Sequence, residues 1–190
     1  MFATKQTLKL SPMEEKPRSI RTNGIYYGSI TGAALIIFSL IMFLSDLYMN
    51  KAVNWIGYIF LVAGMIWGTL EFRKKYSNGF LTYGKAFGSC FWIGLIAGII
   101  GSIYLFVFTQ FIHPGFVNEL LDQMRENMVT SNPEMSEEQV EQAISMSSKF
   151  MSPVMMTIWG LGAYAAMSAI IGLILAIFLK KEDPSLNTSM

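Results

Sequence analysis

The reading of the fold turns on one stretch, AFGSCFWIGLIAGIIGSIYLFVFTQFI, residues 86–112, which carries no charge along its whole length. A hydrocarbon layer about 30 Å thick is crossed by about 20 apolar residues as helix. Backbone amides in lipid find no water, so a single apolar run of this kind must satisfy its own hydrogen bonds as an α-helix. Working outward, three more runs meet the same condition: residues 25–44, 53–70 and 154–179. Their stops are polar. Asp46 follows the first, Glu71 and Arg73 the second, His113 and Pro114 the third, Lys180 and Lys181 the fourth. The two longest runs exceed the minimum, which implies tilt or extension beyond the lipid. Four uncharged runs in 190 residues, with 53% hydrophobic and 14% charged residues overall, set the chain apart from soluble domains, where about 25% of residues are charged.

The expected architecture is an all-α membrane protein, four transmembrane helices in an antiparallel bundle. The chain divides into a polar cytoplasmic tail (1–24), helices one to three (25–112), an acidic helical segment outside the membrane (113–153), helix four (154–179) and a second cytoplasmic tail (180–190). Orientation follows from Lys and Arg, which favour the cytoplasmic side. Lys5, Lys9, Lys16, Arg18 and Arg21 precede the first span, Arg73, Lys74, Lys75 and Lys85 join the second to the third, and Lys180 and Lys181 follow the fourth. Only Lys51, Arg125 and Lys149 fall on the other face. Tyr26, Tyr27, Tyr48, Trp55, Tyr76 and Tyr83 flank span ends, as interfacial anchors do. The N-terminal residues lack a short apolar core with a cleavage site, so the first span is expected to act as its own insertion signal.

Small residues recur four apart: Gly28 with Gly32, Gly64 with Gly68, Gly94 with Gly98 and Ser102, and Ser168 with Gly172 and Ala176. Such stripes let helix backbones approach closely, and packing within one bundle is the favoured reading over association between copies. Tyr27-Gly28-Ser29-Ile30-Thr31-Gly32-Ala33 and Tyr83-Gly84-Lys85-Ala86-Phe87-Gly88-Ser89 share a Tyr-Gly-x-x-x-Gly-small pattern. That likeness raises the alternative of two tandem helical hairpins. Between spans three and four, Glu119, Asp122, Glu126, Glu134, Glu137, Glu138 and Glu141 face only Arg125 and Lys149. Phe116, Leu120, Leu121, Met124 and Met128 recur at helical spacing. Asn132-Pro133 breaks that helix, and Ser136-Glu137-Glu138-Gln139 spells a capping box that starts another, with Val140, Ile144 and Phe150 on its apolar side. Both helices are short enough to be marginal alone and are expected to rest on the bundle or the lipid headgroups.

The chemistry is sparse. No ionisable residue stands in the middle of a span, which counts against ion-coupled carriers, proton pumps and voltage sensors. Ser39, Ser89, Ser102 and Ser168 lack a base at matching depth. Glu71 and Lys85 form at most an exposed pair, which contributes little. Cys90 is alone, so no disulfide forms within the chain. His113 is the single histidine; with Met124, Met128, Met135, Met146, Met151, Met155 and Met156 nearby, it offers one metal reading, cuprous copper on thioethers. Methionine as flexible apolar filler is the favoured alternative. No cofactor, metal or catalytic residue is expected, and the balanced charge gives no field for nucleic acid.

The pattern as a whole resembles a family of small bacterial four-pass membrane proteins, family 4199 of the domains of unknown function, common in Bacteroidetes. The resemblance rests on Tyr27-Gly28-x-x-x-Gly32, Leu81-Thr82-Tyr83-Gly84-Lys85-Ala86-Phe87, His113-Pro114-Gly115-Phe116 and Lys180-Lys181, and covers roughly residues 20–181. His113 departs from the acidic residue expected before that proline. The family implies no known activity, catalytic residue or cofactor; the expected place is the bacterial cytoplasmic membrane, with both termini cytoplasmic by the placement of Lys and Arg. The leading expectation is a non-enzymatic accessory or scaffolding subunit. Its contacts would be the lipid bilayer and either a second copy or another protein, met through residues 113–153. A small transporter or channel, built by oligomers or by the two hairpins, is the alternative, and a membrane enzyme ranks third.

Overall fold

A computed structural model describes residues 19–182; the expectations for the tail positions Lys5, Lys9, Lys16 and Arg18, and for the uncleaved N-terminal segment, fall outside the described residues. Six α-helices follow in order: α1 (Ile20–Leu44), α2 (Lys51–Tyr76), α3 (Tyr83–Val107), α4 (Phe116–Ser131), α5 (Glu137–Phe150) and α6 (Pro153–Leu179). A π-helical turn, Phe108–Ile112, prolongs α3. Four helices are long and apolar enough to cross a membrane: α1, α2, α3 with its π turn, and α6.

The helices overrun the apolar runs that announce them. Helix α1 begins five residues before residue 25, because the Ser19 side chain accepts from the Thr22 N–H and caps the first turn. Arg21, Thr22 and Asn23 are therefore helical, not tail. Helix α2 runs on to Tyr76: Glu71 pairs with Lys75 one turn on at 3.1 Å, and Arg73, Lys74 and Lys75 sit at the dipole's negative end. Glu71 thus finds its partners, Lys74 and Lys75, on its own helix rather than in Lys85. Helix α6 starts at Pro153, the position where a missing N–H costs nothing, behind a Ser152 cap.

Contacts at the glycines fix the directions. A Cβ on Gly24 would meet Trp92, on Gly28 Ile96, and on Gly32 Ile100, so α1 and α3 run parallel. Gly64 lies against Thr31 and Gly68 against Tyr27, so α2 is antiparallel to α1; Gly94 lies against Ser168 and Gly98 against Tyr164, so α6 is antiparallel to α3. The order is up, down, up, down, with α3 in contact with the other three. One end of the bundle carries Arg21, Arg73, Lys74, Lys75, Lys85, Lys180 and Lys181, and the other carries the α4–α5 hairpin.

The interior is small and hydroxylic rather than bulky. Ala86, Ser89, Cys90, Ala97, Thr69 and Ser168 are fully buried beside Leu61, Met65 and Ile93. Ile37, Ile59, Ile103, Ile170 and Phe178 point outward. That inversion suits a lipid solvent, where apolar side chains gain nothing by hiding and close backbone approach is what holds helices together.

At the basic end, the loop after α2 turns through Asn78 and Gly79, both at positive φ, and the Gly79 N–H reaches the Arg73 carbonyl at 2.9 Å. Leu81 and Lys181 then exchange two backbone hydrogen bonds, 2.7 and 2.8 Å, and the Arg73 guanidinium donates to the Leu179 carbonyl at 3.1 Å. This clasp ties the α2–α3 loop to the end of α6. The two Tyr-Gly motifs occupy unlike surroundings: Tyr27 is buried and Gly28 tightly packed, whereas Tyr83 is exposed and nothing lies within 4 Å of a Cβ on Gly84. Tyr27 is accordingly a packing residue, with Trp67 edge-on at 5.3 Å, and not a surface anchor. Tyr26, Trp55 and Tyr83 are exposed near helix ends.

Candidate functional site

Three groups of side chains could carry a role. The first joins α1, α2 and α3 in the basic half. Asn23 donates from Nδ2 to the Gly68 carbonyl at 3.1 Å and to Ser89 Oγ at 3.5 Å. The Thr69 hydroxyl donates to Ser89 Oγ at 3.1 Å and lies 3.3 Å from Cys90 Sγ. All four residues are fully buried. Unpaired alternatives are costly in such surroundings, so the network selects one arrangement of three helices. It holds no ionisable base, and Ser89 has no activated form here.

The second group is the stripe of small residues. The structure places Gly28, Gly32, Gly64, Gly68, Gly94 and Gly98 at helix contacts inside the bundle. A Cβ on Gly28 would stand 2.7 Å from the Ile93 carbonyl oxygen, a backbone atom that cannot step aside, and one on Gly98 would stand 2.6 Å from Tyr164 Cβ. Ser102, Ser168, Gly172 and Ala176 are buried on the α3–α6 side. Gly172 is looser than the rest, with Cys90 Cβ at an ordinary 3.4 Å. Gly24 belongs to the set as well, against Trp92. Its partner in spacing is Gly28, and the early start of α1 hid it.

The third group closes the hairpin end. After Val107 the helix widens into the π turn, where the Thr109 hydroxyl donates back to the Leu105 carbonyl at 2.9 Å and the His113 N–H reaches Phe108 at 2.7 Å. Such turns often mark functional places in helices. The chain then bends at Pro114-Gly115 into α4, which brings Glu119 under His113. Glu119 takes two hydrogen bonds: the Tyr48 hydroxyl donates to Oε2 at 2.6 Å, and His113 Nε2 lies 2.9 Å from Oε1. The Tyr48 hydrogen bond, then that of His113, holds the Glu119 carboxyl below its ordinary value. Reciprocally, the bond to Glu119 pushes the Tyr48 phenol up to about 12. Phe43, Phe108 and Phe116 surround the pair, with Phe43 5.4 Å from the His113 ring and Phe116 5.4 Å from Phe108. The loop between α1 and α2 is thereby stapled to the base of the hairpin. His113 Nε2 is engaged by a carboxylate, and Met146 and Met155 are exposed.

Beneath this staple lies a cavity of about 290 Å³ among all four long helices. Leu35, Ile36, Phe38, Ser39 and Met42 of α1, Gly57 of α2, Gly101 to Phe108 in part, and Gly160 and Tyr164 of α6 form its walls, with Tyr48 and Phe116 at the hairpin end. The Ser102 and Tyr104 hydroxyls, both buried, have no hydrogen-bond partner among the described residues.

The hairpin itself follows the sequence. Asn132-Pro133 ends α4, and the Ser136 capping box opens α5: Gln139 N–H to Ser136 Oγ at 3.3 Å, and Ser136 N–H to Gln139 Oε1 at 3.1 Å. Val140 and Ile144 are buried, and Arg125 bridges to Glu141 at 2.7 Å. The two helices pack mainly against each other rather than lying along the bundle, and Phe150 is exposed.

No curated protein and no solved structure matches this sequence. Residues 26–181 match the family described as "Protein of unknown function (DUF4199)", which takes in the four long helices and the hairpin alike, and the chain belongs to that family.

Proposed function

We propose that this protein is a non-enzymatic, four-pass accessory subunit of the bacterial cytoplasmic membrane, with the basic end inside and the hairpin outside as its contact surface. The single observation that supports this most is the way the hairpin is built. It is anchored at its base through Glu119 and closed upon itself through Val140, Ile144 and the Arg125–Glu141 pair. Its outer surface is thereby left unused. That surface carries Glu126, Glu134, Glu137 and Glu138, with Val129, Met146 and Phe150 exposed among them. A basic partner would be drawn by long-range attraction and held by the apolar patches.

Replacing residues 120–150 by a flexible Gly-Ser linker keeps Glu119 and its two hydrogen bonds. The expected outcome is unchanged insertion with loss of the proteins that copurify in mild detergent, and loss of the same proteins from the intact chain at high salt. Retention of those partners by the linker variant contradicts the proposal and moves the contact to the spans. The transporter reading draws on the cavity between the helices, but that cavity carries no charged lining, which disfavours ions as cargo.

A further inference from the structure

We propose that the outer groove between α1 and α3, at the basic end of the bundle, binds an anionic phospholipid, with Arg21 and Lys85 on its phosphate. Most cations at that end are already engaged among the described residues. Glu71 holds Lys74 and Lys75, and the Leu179 carbonyl takes Arg73. Glu182 pairs with Lys180, and Lys181 lies over the Phe80 ring. Arg21 and Lys85 differ: both are exposed, and neither has a carboxylate partner among the described residues. No Asp or Glu occurs anywhere in α1 or α3, so the groove offers an anion two cations and no repulsion from its own walls.

The packing of the two helices brings these cations together. A Cβ on Gly88 would stand 3.7 Å from Ile20 Cγ2, which sets the start of α1 beside the second turn of α3. Lys85 and Trp92 share a face of α3 by their spacing, with Gly88 leaving a gap between them. The Arg21 guanidinium lies 5.4 Å from the centre of the Trp92 ring. Stacking holds the guanidinium by its face and leaves its in-plane N–H fork free for a phosphate, which it fits bidentately. Toward the hairpin end the groove turns apolar: Ile25 of α1 is exposed, and Ile99 and Ile103 are exposed on the same side of α3 as Trp92. From Trp92 to Ile103 the helix rises about 16 Å, close to half of a hydrocarbon layer about 30 Å thick, the depth that one acyl chain fills. Cations above an apolar track suit a phospholipid, and basic clefts between spanning helices hold anionic headgroups. The site rests on the four-pass reading and is independent of the hairpin's role.

The experiment measures the thermal unfolding midpoint of the full chain in a neutral detergent against rising concentrations of three probes. A midpoint that climbs with ligand reports binding to the folded state. Phosphatidylglycerol is the test lipid. Phosphatidylcholine with the same acyl chains keeps the phosphate but cancels its charge, and glycerol 3-phosphate offers the charge without the chains. Phosphatidylglycerol is expected to give a saturable rise, with roughly tenfold tighter binding than either control, in line with what two cations contribute near an anionic headgroup. Arg21→Gln with Lys85→Gln, both at exposed helical positions, should leave the midpoint without lipid unchanged and remove that advantage. Lys74→Gln with Lys75→Gln removes the same charge from side chains that Glu71 already engages, and should keep it. A chain that stays in solution without detergent defeats the four-pass reading, and this site with it; the lipid responses bear on the site alone. Equal binding of phosphatidylglycerol and phosphatidylcholine, or a preference that survives Arg21→Gln with Lys85→Gln, overturns the proposal. A preference lost equally in both double variants overturns it in favour of diffuse attraction to the basic end, and glycerol 3-phosphate binding as tightly as the lipid overturns the phospholipid assignment.

Discussion

Glu119 shows how a single carboxylate joins parts far apart in sequence. It receives Tyr48 from the α1–α2 loop and His113 from the end of the π turn, and an ionised acceptor makes both bonds strong. The pH dependence follows from the directions of the shifts. Glu119 is held below its ordinary 4.5, so its contribution is complete above that value and is lost as pH falls through the lower folded value. Tyr48 is held up at about 12 against an ordinary 10.0, so its contribution is complete below pH 10 and is lost as pH rises toward 12. The hairpin should be most firmly anchored between those limits. Tyr48→Phe should weaken the anchor by about 1 kcal/mol, less than the roughly 1.5–3 kcal/mol of a buried bond to a charged group because the pair is partly exposed. Hydrogen exchange checks this: amides of 116–131 should exchange faster in Tyr48→Phe and Glu119→Gln than in the parent at neutral pH. Equal exchange would mean the staple holds nothing. In the sequence, His113 stood out as a departure from the family's acidic residue, but its partner six residues on was hidden. The pairing depends on a bend at Pro114-Gly115 and a π turn, and neither leaves a periodic signature. Asn23 was missed for a plainer reason: it precedes the apolar run, and only the Ser19 cap carries the helix back over it.

At the scale of elements, the sequence was most legible where a local rule dictates the structure. Charge-free runs announced four helices, because lipid leaves the backbone no other choice. The Asn132-Pro133 break and the Ser136 capping box placed both hairpin helices, because these signals act within one turn. Boundaries were less legible, since polar caps and i,i+4 pairs extend helices beyond the apolar core. Of the two resting places expected for the hairpin, the bundle is not the one taken, since α4 and α5 pack mainly against each other. The small-residue stripe supplies the test at this scale. Gly98→Leu drives a side chain into Tyr164, and overpacking of this kind costs roughly 1–3 kcal/mol. Ile99, partly exposed on the neighbouring face, should accept leucine with little effect. Thermal unfolding in detergent should therefore separate Gly98→Leu from Ile99→Leu clearly. Matching midpoints would mean that α3 does not pack on α6 through this stripe.

As a whole, the molecule is four helices knit at three levels: the Leu81–Lys181 clasp with Arg73 at the basic end, the Asn23–Thr69–Ser89–Cys90 network within, and the Glu119 staple at the hairpin end. None of the three was visible as a motif, because each draws single polar residues from separate segments. Only the bundle's geometry brings them together. The likeness between the two Tyr-Gly motifs shows the converse, a sequence echo whose two copies meet different surroundings. The central claim is that the four long helices cross a bilayer with the clasp inside and the hairpin outside. Single cysteines at Ser77 and at Ser131, each in a Cys90→Ala background, test it most directly with an impermeant thiol reagent on intact cells. The account expects Ser131→Cys to react and Ser77→Cys to stay protected until the membrane is opened. Labelling of Ser77→Cys from outside, or protection of Ser131→Cys, would contradict it.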